Sequence, residues 1–423
     1  MGILARNLAF PDFAPFAQPS IQGVDPMTLT RAESWAWRML MPALLFGGVA
    51  ASWVIVVVAL LRVTSWWWNH RSKSWSWNWG SAGWLLFFGL QVAGGMWSEN
   101  VEAWRFSLEV KSSMWALPVL AAMPGRSMIR DFWWSVGWSV SAYLLWRLAW
   151  AGWHHVVLDD ARQWHYARFA GDVHPTYLSL HAAVAWVGCG RQWGKPNAWM
   201  WGCTVLVAIA LGLIASKAGI IAAAAVALIG MALPRLWGRA DRFAMGHGAA
   251  FLVLLVGVSW GASKKRFEEM GTAAAAVRSE SAPVQSSSAG RVAVWRASAE
   301  LLAANPFGVG TGDVTDALVE LYGRDGVTYA SERRLNPHNQ WLQAGVAFGW
   351  PGMLLWTAVL LWWGWYGWRQ RSRWGVLCVL LIGAHTMVES MLEVQRGVVF
   401  ILWLFAAAVA PPHDPELNGS KPD

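Results

Sequence analysis

Charged side chains are scarce in this sequence. Only 14% of its 423 residues are Asp, Glu, Lys or Arg, whereas 56% are hydrophobic and the mean hydropathy is +0.33. A soluble protein of this length would carry about a quarter of its residues as charges. The shortage of charge therefore excludes an ordinary soluble protein.

Cysteine is also scarce. The chain has three cysteines, Cys189, Cys203 and Cys378, and all of them lie in apolar segments. Their spacing fits neither a metal site nor a redox motif, so we interpret them as small buried side chains. A compact apolar core is missing from residues 1–30, which argues against a cleavable signal peptide.

Long apolar runs, by contrast, recur along most of the chain. They lie near residues 37–61, 81–97, 112–123, 131–151, 176–190, 198–215, 218–234, 248–262, 352–368, 375–391 and 397–411. Runs of this length suit membrane-spanning helices, and many of the 36 tryptophans suit the boundary between lipid and water. The sequence predicts an all-α, polytopic transmembrane helix bundle of 11–12 spans.

Polar segments divide the chain. We expect an N-terminal segment at 1–36, an N-terminal transmembrane bundle at 37–262, a large loop at 263–340, C-terminal transmembrane helices at 341–411 and a tail at 412–423. Within the large loop, 263–280, 291–305 and 313–323 have helical composition, with Asp313 and Asp316 at a helix start. This loop is predicted to be mainly helical.

Lysine and arginine predict the orientation. Basic clusters at 62–73, 191–195, 235–242 and 369–373 favour a cytoplasmic position for those loops. The large loop and the turn at Ser216 and Lys217 then lie outside. The net charge of +8 fits contact with anionic lipid and does not indicate nucleic-acid binding.

The N-terminus fits this orientation less well. Eleven spans would put it outside, although it carries Arg6, Arg31 and Arg38. A break at Gly47 and Gly48 would turn the first run into a hairpin and give twelve spans. The sequence leaves both alternatives open.

Two stretches resemble a known family, one within the large loop and one that begins at its end. They are "GRVAVWRASAELLAANPFGVGTG" at 290–312 and "NPHNQWLQAGVAFGWPG" at 336–352. Both resemble motifs of the O-antigen ligase and polymerase superfamily. More loosely, "HPTYLSLH" at 174–181 and "GLIASKAG" at 212–219 resemble shorter signatures of that family.

The resemblance implies a fold and a reaction. The fold would be a GT-C-like bundle in the bacterial inner membrane, with its active site facing the periplasm. The reaction would move a glycan from undecaprenyl diphosphate to lipid A–core oligosaccharide, without a cofactor or a nucleotide sugar. Chain length and the single large loop favour an O-antigen ligase. A polymerase or a protein O-oligosaccharyltransferase differs only in its acceptor, and a transporter is the more distant alternative.

His338 is the predicted catalytic residue. An acceptor hydroxyl must lose its proton as it attacks, and a neutral imidazole can accept that proton. Asn336 suits an N-cap and Pro337 the first helical position, which would put His338 in the first turn of a membrane helix. A polar interface residue without a role is the alternative interpretation.

The departing diphosphate needs positive charge. Arg291 lies in the matched motif, and its guanidinium suits phosphate oxygens. Lys217 stands where the family often has arginine, and Arg266 and Lys265 are weaker candidates. A water-facing or headgroup-binding role is the alternative for each of them.

Three more polar residues are possible supports. Tyr177 and His181 are four residues apart on one predicted helix. Glu389 is predicted inside a span, paired with a cationic or polar neighbour near the site such as Arg396 or a loop arginine. For Tyr177 and His181 a structural hydrogen-bonding role is favoured over contact with the carrier or sugar, and for Glu389 a purely structural buried pair is an equal alternative. The large loop has no DxD-like carboxylate pair that would hold magnesium over a diphosphate, so the sequence predicts a metal-independent, inverting transfer.

Overall fold

The structure, a computed structural model, describes residues 26–70, 75–124, 128–192, 197–236, 245–260 and 287–409. These residues form α-helices and contain no β-strand, which confirms the predicted all-α class. The helices of the first half are α1 (Pro26–Phe46), α2 (Gly48–Ser65), α3 (Trp79–Ala93), α4 (Val101–Lys111), α5 (Ser113–Ala122), α6 (Ile129–Leu158), α7 (Tyr166–Ala170), α8 (Pro175–Gln192) and α9 (Ala198–Ile214). Those of the second half are α10 (Lys217–Leu236), α11 (Met245–Trp260), α12 (Ser287–Ala304), α13 (Val314–Arg324), α14 (Thr328–Glu332), α15 (Gln340–Arg369), α16 (Arg373–Thr386) and α17 (Gln395–Val409).

Apolar helices dominate the bundle. Within the described ranges, three segments have the length and composition to cross a membrane: Val49–Trp68, Lys217–Pro234 and Gln340–Arg369. Four shorter helices, α9, α11, α16 and α17, are also apolar. Helix α17 is almost wholly enclosed by its neighbours, and its residues from Val398 to Phe405 are all buried. These features are those of a membrane protein.

The first apolar run is a hairpin. Gly47 separates α1 from α2, and a salt bridge of 2.5 Å joins Glu33, near the start of α1, to Arg62, near the end of α2. Both charged side chains are buried. Since the beginning of one helix meets the end of the next, the two helices are antiparallel. The structure therefore favours the hairpin alternative.

The helices of the bundle begin at one or the other of its two ends. We call the end where α8, α10, α15 and α17 begin the site end, and the end where α9, α11 and α16 begin the far end. Helices α12, α13 and α14 lie at the site end and form the described part of the large loop. Helices α12 and α13 confirm the helices predicted at 291–305 and 313–323. The predicted helix at 263–280 lies outside the described residues.

A break in α15 holds the large loop in place. Gly349 has a φ of +65°, which interrupts the helix and leaves the carbonyl groups of Val346 and Ala347 without helical partners. The backbone N–H groups of Val309 and Gly310 donate to these two carbonyls over 2.8 and 3.0 Å. A side chain at Gly349 would strike the Pro306 carbonyl oxygen, because its Cβ would lie 1.8 Å from that atom. The turn after α12 is thus fixed to α15.

A second clasp joins the large loop to the connection between α3 and α4. The Asp313 carboxylate, just before α13, accepts hydrogen bonds of 2.8 Å from the backbone N–H groups of Glu99 and Asn100. The Asn100 side chain donates to Asp316 over 2.8 Å. The large loop is therefore anchored on two sides, to α15 and to α3–α4, and it carries α12 over the start of α15.

Candidate active site at the start of α15

His338 lies just before α15, in a backbone conformation that only a few residues adopt. Its φ is +46°, and its N–H donates to the Asn336 side chain over 2.9 Å. The N-cap of α15 is Asn339, whose side chain accepts from the N–H groups of Trp341 and Leu342. The prediction of an N-cap at Asn336 is therefore wrong, because the second asparagine caps the helix. His338 precedes the cap, outside the first turn.

Glu389 is the partner of His338. The distance between His338 Nδ1 and Glu389 Oε1 is 3.1 Å, and the two side chains are 25% and 7% exposed. Glu389 lies in the connection between α16 and α17, which corrects its predicted place inside a span. The polar neighbour predicted for Glu389 is His338, and Arg396, one of the residues suggested for that place, donates instead to the backbone carbonyl of Asp172.

The charge state of Glu389 indicates which ring nitrogen of His338 carries the proton. Burial raises the pKa of the Glu389 carboxyl, but the hydrogen bond and charge of His338, with His174 and Arg291, outweigh it and lower that pKa. An ionised carboxylate only accepts hydrogen bonds, so we assign the proton of a neutral His338 to Nδ1. Nε2 of His338 then carries the free lone pair.

The Glu389 connection is tied to the start of α15 by further hydrogen bonds. The N–H of Asn339 donates to Ser390 Oγ over 3.2 Å, and the Asn339 side chain donates to the Met387 carbonyl over 3.0 Å. The buried Gln340 side chain accepts from the N–H of Leu392 over 2.8 Å. These contacts hold Glu389 at a fixed position relative to His338.

A buried lysine fastens the other side of this connection. Lys111, at the end of α4, forms a 2.7 Å salt bridge with Glu393, and its Nζ donates to the Gln91 side chain over 3.1 Å. The Lys111 side chain is only 4% exposed. A buried ammonium is costly unless it is paired, so this contact ties α4 firmly to the connection that carries Glu389.

Arg291 and His174 complete the electrostatic cluster. Arg291 lies in α12, is half-buried, and influences both Glu389 and His174 electrostatically. Among the described residues it makes no hydrogen bond or salt bridge. Burial lowers the pKa of His174, Glu389 opposes that effect, and the positive charges of His338 and Arg291 add to it. His174 is therefore a neutral imidazole at neutral pH.

His174 caps α8 and has a defined tautomer. Its Nδ1 accepts from the N–H of Thr176 over 3.3 Å, and its carbonyl accepts from the N–H groups of Tyr177 and Leu178. Because Nδ1 is the acceptor, the imidazole proton is on Nε2. The ring of His174 packs edge-on against Tyr177, with 5.9 Å between the ring centroids.

The segment before His174 is held by a buried arginine that sequence reasoning missed. Arg147 in α6 donates to the carbonyls of Phe169 and Arg168 over 2.8 and 2.5 Å. Tyr143, one turn earlier, donates to the Ala170 carbonyl over 2.8 Å. An arginine inside an apolar run is a signal that could have pointed to this role, since a charge there needs partners.

Tyr177 and His181 are both buried in α8. Tyr177 packs against the start of α17, where a Cβ at Gly397 would lie 2.7 Å from its ring. Its hydroxyl has no hydrogen-bond partner among the described residues. His181 is one turn deeper, with its ring centroid 4.3 Å from that of Phe400. Tyr177 thus borders the cluster, whereas His181 lies in the packed interior.

Lys217 is the first residue of α10, at the site end. It follows a turn in which Ala215 has a φ of +48°. Two residues later, Gly219 packs against Ser179 in α8, and Ser179 Oγ lies 3.2 Å from His385 Nε2. The turn of Lys217 is therefore packed near α8 and the end of α16, next to the Glu389 connection. Arg266 and Lys265 lie outside the described residues.

The described residues contain no group of three or more His, Cys, Asp or Glu side chains placed to hold a metal ion. They do bring together an imidazole with a free nitrogen, a carboxylate that orients it, a second neutral imidazole and a guanidinium. Such a set can remove a proton from a hydroxyl and bind an anion.

A known protein family matches part of the chain. No curated protein matches the chain. Residues 202–357 match the family described as O-antigen ligase, a range that includes Lys217, Arg291 and His338. Within residues 202–357, the match confirms the resemblance to the O-antigen ligase and polymerase superfamily that was seen in the sequence.

Proposed function

We propose that this protein is an O-antigen ligase, which transfers a glycan from undecaprenyl diphosphate to lipid A–core oligosaccharide at the periplasmic face of the inner membrane. The family match supports a membrane enzyme that handles lipid-linked polysaccharide. The observation that carries the proposal further is the contact between His338 and Glu389 at the site end. It supplies a base where a lipid-anchored acceptor would meet a lipid-anchored donor.

His338 acts as the general base. Nε2 takes the proton of the acceptor hydroxyl while the hydroxyl oxygen attacks the anomeric carbon of the donor. The bond between that carbon and the diphosphate breaks, and undecaprenyl diphosphate leaves with the bonding electrons. Glu389 accepts a hydrogen bond from Nδ1 and stabilises the imidazolium that forms.

Fixed positive charge stabilises the leaving diphosphate. Arg291 is the main contributor, because it is half-buried beside the pair and makes no ion pair with a described residue. Lys217 adds a point charge from the turn before α10, and Lys265 and Arg266 precede α12 in the same loop. Charges held in place before the reaction stabilise a developing anion without reorganising during it.

His174 is a neutral hydrogen-bond donor in this proposal. Its Nδ1 accepts from the Thr176 backbone, so its Nε2–H is available for a phosphate or sugar oxygen. Because the pKa of His174 is lowered, it does not compete with His338 for positive charge. Tyr177 supports the ring of His174 from below.

No metal ion is needed in this proposal, because Arg291 and Lys217 replace it. Purified protein should keep its full transferase activity in EDTA. Activity that EDTA removes and magnesium restores would contradict this part of the proposal.

Reconstitution tests the proposed reaction. Purified protein is mixed with undecaprenyl-diphosphate-linked glycan and lipid A–core, and the products are separated by size. The ligase proposal predicts that the core acquires the glycan. A longer carrier-linked glycan would instead identify a polymerase, and a glycosylated protein would identify a protein O-oligosaccharyltransferase.

A transporter would give none of these products. Counterflow of a lipid-linked glycan in proteoliposomes, without any new covalent product, would replace the enzyme assignment. The convergence of a base and an anion-binding arginine on one place argues for chemistry over transport.

A further inference from the structure

Helix α4 reaches from the large loop to the connection that carries Glu389. Its N-cap is Asn100, whose backbone N–H donates to the Asp313 carboxylate of the large loop over 2.8 Å. Its last residue is Lys111, which forms the 2.7 Å salt bridge with Glu393. An α-helix rises about 1.5 Å per residue, so the length of α4 separates these two contacts by about 16 Å.

The Glu389 connection is a compact turn, so a contact at Glu393 also acts on Glu389. The N–H of Met391 donates to the Glu389 carbonyl over 3.0 Å, and the N–H of Glu393 donates to the Ser390 carbonyl over 3.1 Å. Met391 and Ser390 are both fully buried. A displacement of Glu393 is therefore passed through this turn to the backbone of Glu389.

The Lys111 ammonium is also linked to the large loop through Gln91. Its Nζ donates to the Gln91 side chain over 3.1 Å, and the backbone carbonyl of Gln91 accepts from Thr311 Oγ1 over 2.8 Å. Gln91 and Thr311 are both buried. Lys111 thus contacts the end of α3, which holds the large loop, and the Glu389 connection at the same time.

Stability alone does not account for a lysine at this position. Moving an ammonium out of water is costly, and replacing a buried ion pair by apolar residues is often neutral or stabilising. The side chains of Lys111 and Glu393 are only 4% and 19% exposed, so water weakens their attraction little. Such a pair holds two segments at one distance, which an apolar contact does less specifically.

We infer that Lys111 is a positioning residue for the proposed transfer reaction. Through Glu393 it holds the Glu389 connection where Glu389 accepts a hydrogen bond from His338 Nδ1. Helix α4 sets the spacing between this connection and the large loop, which carries Arg291. The inference rests on the proposed function, because it assigns Lys111 to the reaction in which Glu389 stabilises the His338 imidazolium. Lys111 itself touches no substrate.

The kinetics of Lys111→Met in the reconstituted reaction test this role. The kcat should fall roughly tenfold, because a small displacement of a group that supports the base is costly. The KM values for donor and acceptor should be unchanged, because Lys111 contacts neither of them. A wild-type kcat in Lys111→Met would overturn the inference.

The same change in the Glu389→Gln background separates positioning from a general structural effect. If Lys111 acts through Glu389, Lys111→Met should lower kcat little further in that background, so the two changes are not additive. A reduction by the same factor in both backgrounds would mean that Lys111 acts elsewhere and would overturn the inference.

Two further variants control for charge and for folding. Arg105→Gln should transfer like wild type, since Arg105 is exposed on α4 and its side chain makes no hydrogen bond or salt bridge with another described residue. Lys111→Met/Glu393→Gln leaves no charge unpaired, so it should unfold near the wild-type midpoint and yet transfer slowly. A wild-type kcat in this folded double variant would overturn the inference.

Hydrogen exchange tests the contact independently of any activity. Lys111→Met should speed exchange of the backbone N–H groups of Met391 and Glu393, whereas Arg105→Gln should not. Unchanged exchange in Lys111→Met would overturn the inference. Faster exchange in a protein whose wild type transfers no glycan would contradict the proposed function while supporting the structural role of Lys111.

Discussion

The two ends of the bundle both contain partly buried charge, but they use it differently. At the far end, Arg62 meets Glu33 at 2.5 Å and Arg38 meets Asp131 at 2.8 Å. At the site end, His338 meets Glu389 at 3.1 Å, yet Glu389 Oε2 has no hydrogen-bond partner and Arg291 has no ion-pair partner among the described residues. In the two far-end pairs, each charged side chain faces an opposite charge. At the site end, Glu389 and Arg291 can still bind a ligand.

We therefore expect the far-end pairs to stabilise the fold and the site-end groups to take part in the reaction. The far-end pairs join α1, α2 and α6, and their loss should unfold the protein without changing its reaction. The site-end groups border a half-exposed imidazole, and their loss should stop the reaction without unfolding the protein. Pairs of buried charge are costly to break, while unsatisfied polar groups in a site are available for substrate.

The largest expected effect is that of His338→Ala on transfer. Loss of a general base should reduce the rate by about 10²–10⁴-fold. The midpoint of thermal unfolding should stay within a few degrees of wild type, because His338 precedes the helix and caps nothing. Rates in the reconstituted reaction and unfolding in detergent are the two measurements. Retained activity would remove His338 from the role of base.

Arg62→Met should have the opposite effect to His338→Ala, lowering stability but not the rate of transfer. It leaves Glu33 charged and buried, which should cost about 3–5 kcal/mol of stability. The double variant Glu33→Gln/Arg62→Met should recover much of that loss, since no charge is then left alone. Thermal unfolding measures stability, and transfer per folded molecule should equal wild type. A loss of transfer without a loss of stability would break the contrast between the two ends.

Glu389→Gln sharpens the contrast within the site. The amide can still contact His338 Nδ1 but cannot stabilise the imidazolium, so the rate should fall by roughly tenfold or more. Glu332→Gln, an exposed carboxylate in α14, is the control. A rate in Glu389→Gln as high as in Glu332→Gln would mean that Glu389 acts only as packing.

The smallest effect concerns stability against acid. The pKa of Glu389 is lowered from its ordinary value of 4.5, so the unfolded chain binds more protons than the folded chain in that range. The stabilisation by this carboxylate is therefore present above pH 4.5 and is lost as the pH falls below it. The difference in thermal unfolding between wild type and Glu389→Gln should shrink as the pH falls from 7 to below 4. A constant difference would contradict the lowered pKa.

Local patterns in the sequence predicted much of the fold. The helices α12 and α13 follow from composition and from the Pro-Gly turn between them, and the break at Gly47 follows from two adjacent glycines. The N-cap of α15 was misplaced because Asn336 and Asn339 are both good caps, and only the backbone geometry selects between them. The left-handed backbone conformation of His338 could not be predicted from its residue type alone.

Contacts between segments that are distant in the chain could not be predicted from the sequence. His338 and Arg291 came from motif resemblance, but Glu389 is 51 residues from His338 and nothing local pairs them. The role of Arg147 depends on the carbonyls of a separate loop. The pairing of the 306–310 turn with the break in α15 likewise appears only when the helices are packed. Pattern therefore predicted the candidate residues, and packing determined their partners.

The configuration of the new glycosidic bond tests the central claim most directly. Donor labelled at the anomeric carbon is transferred to lipid A–core by the purified protein, and the product linkage is read by NMR. A single displacement, with His338 as base and no covalent glycosyl intermediate, predicts the configuration opposite to that of the carrier-linked sugar. A product that retains the donor configuration would contradict it and would require a nucleophile that this account does not include.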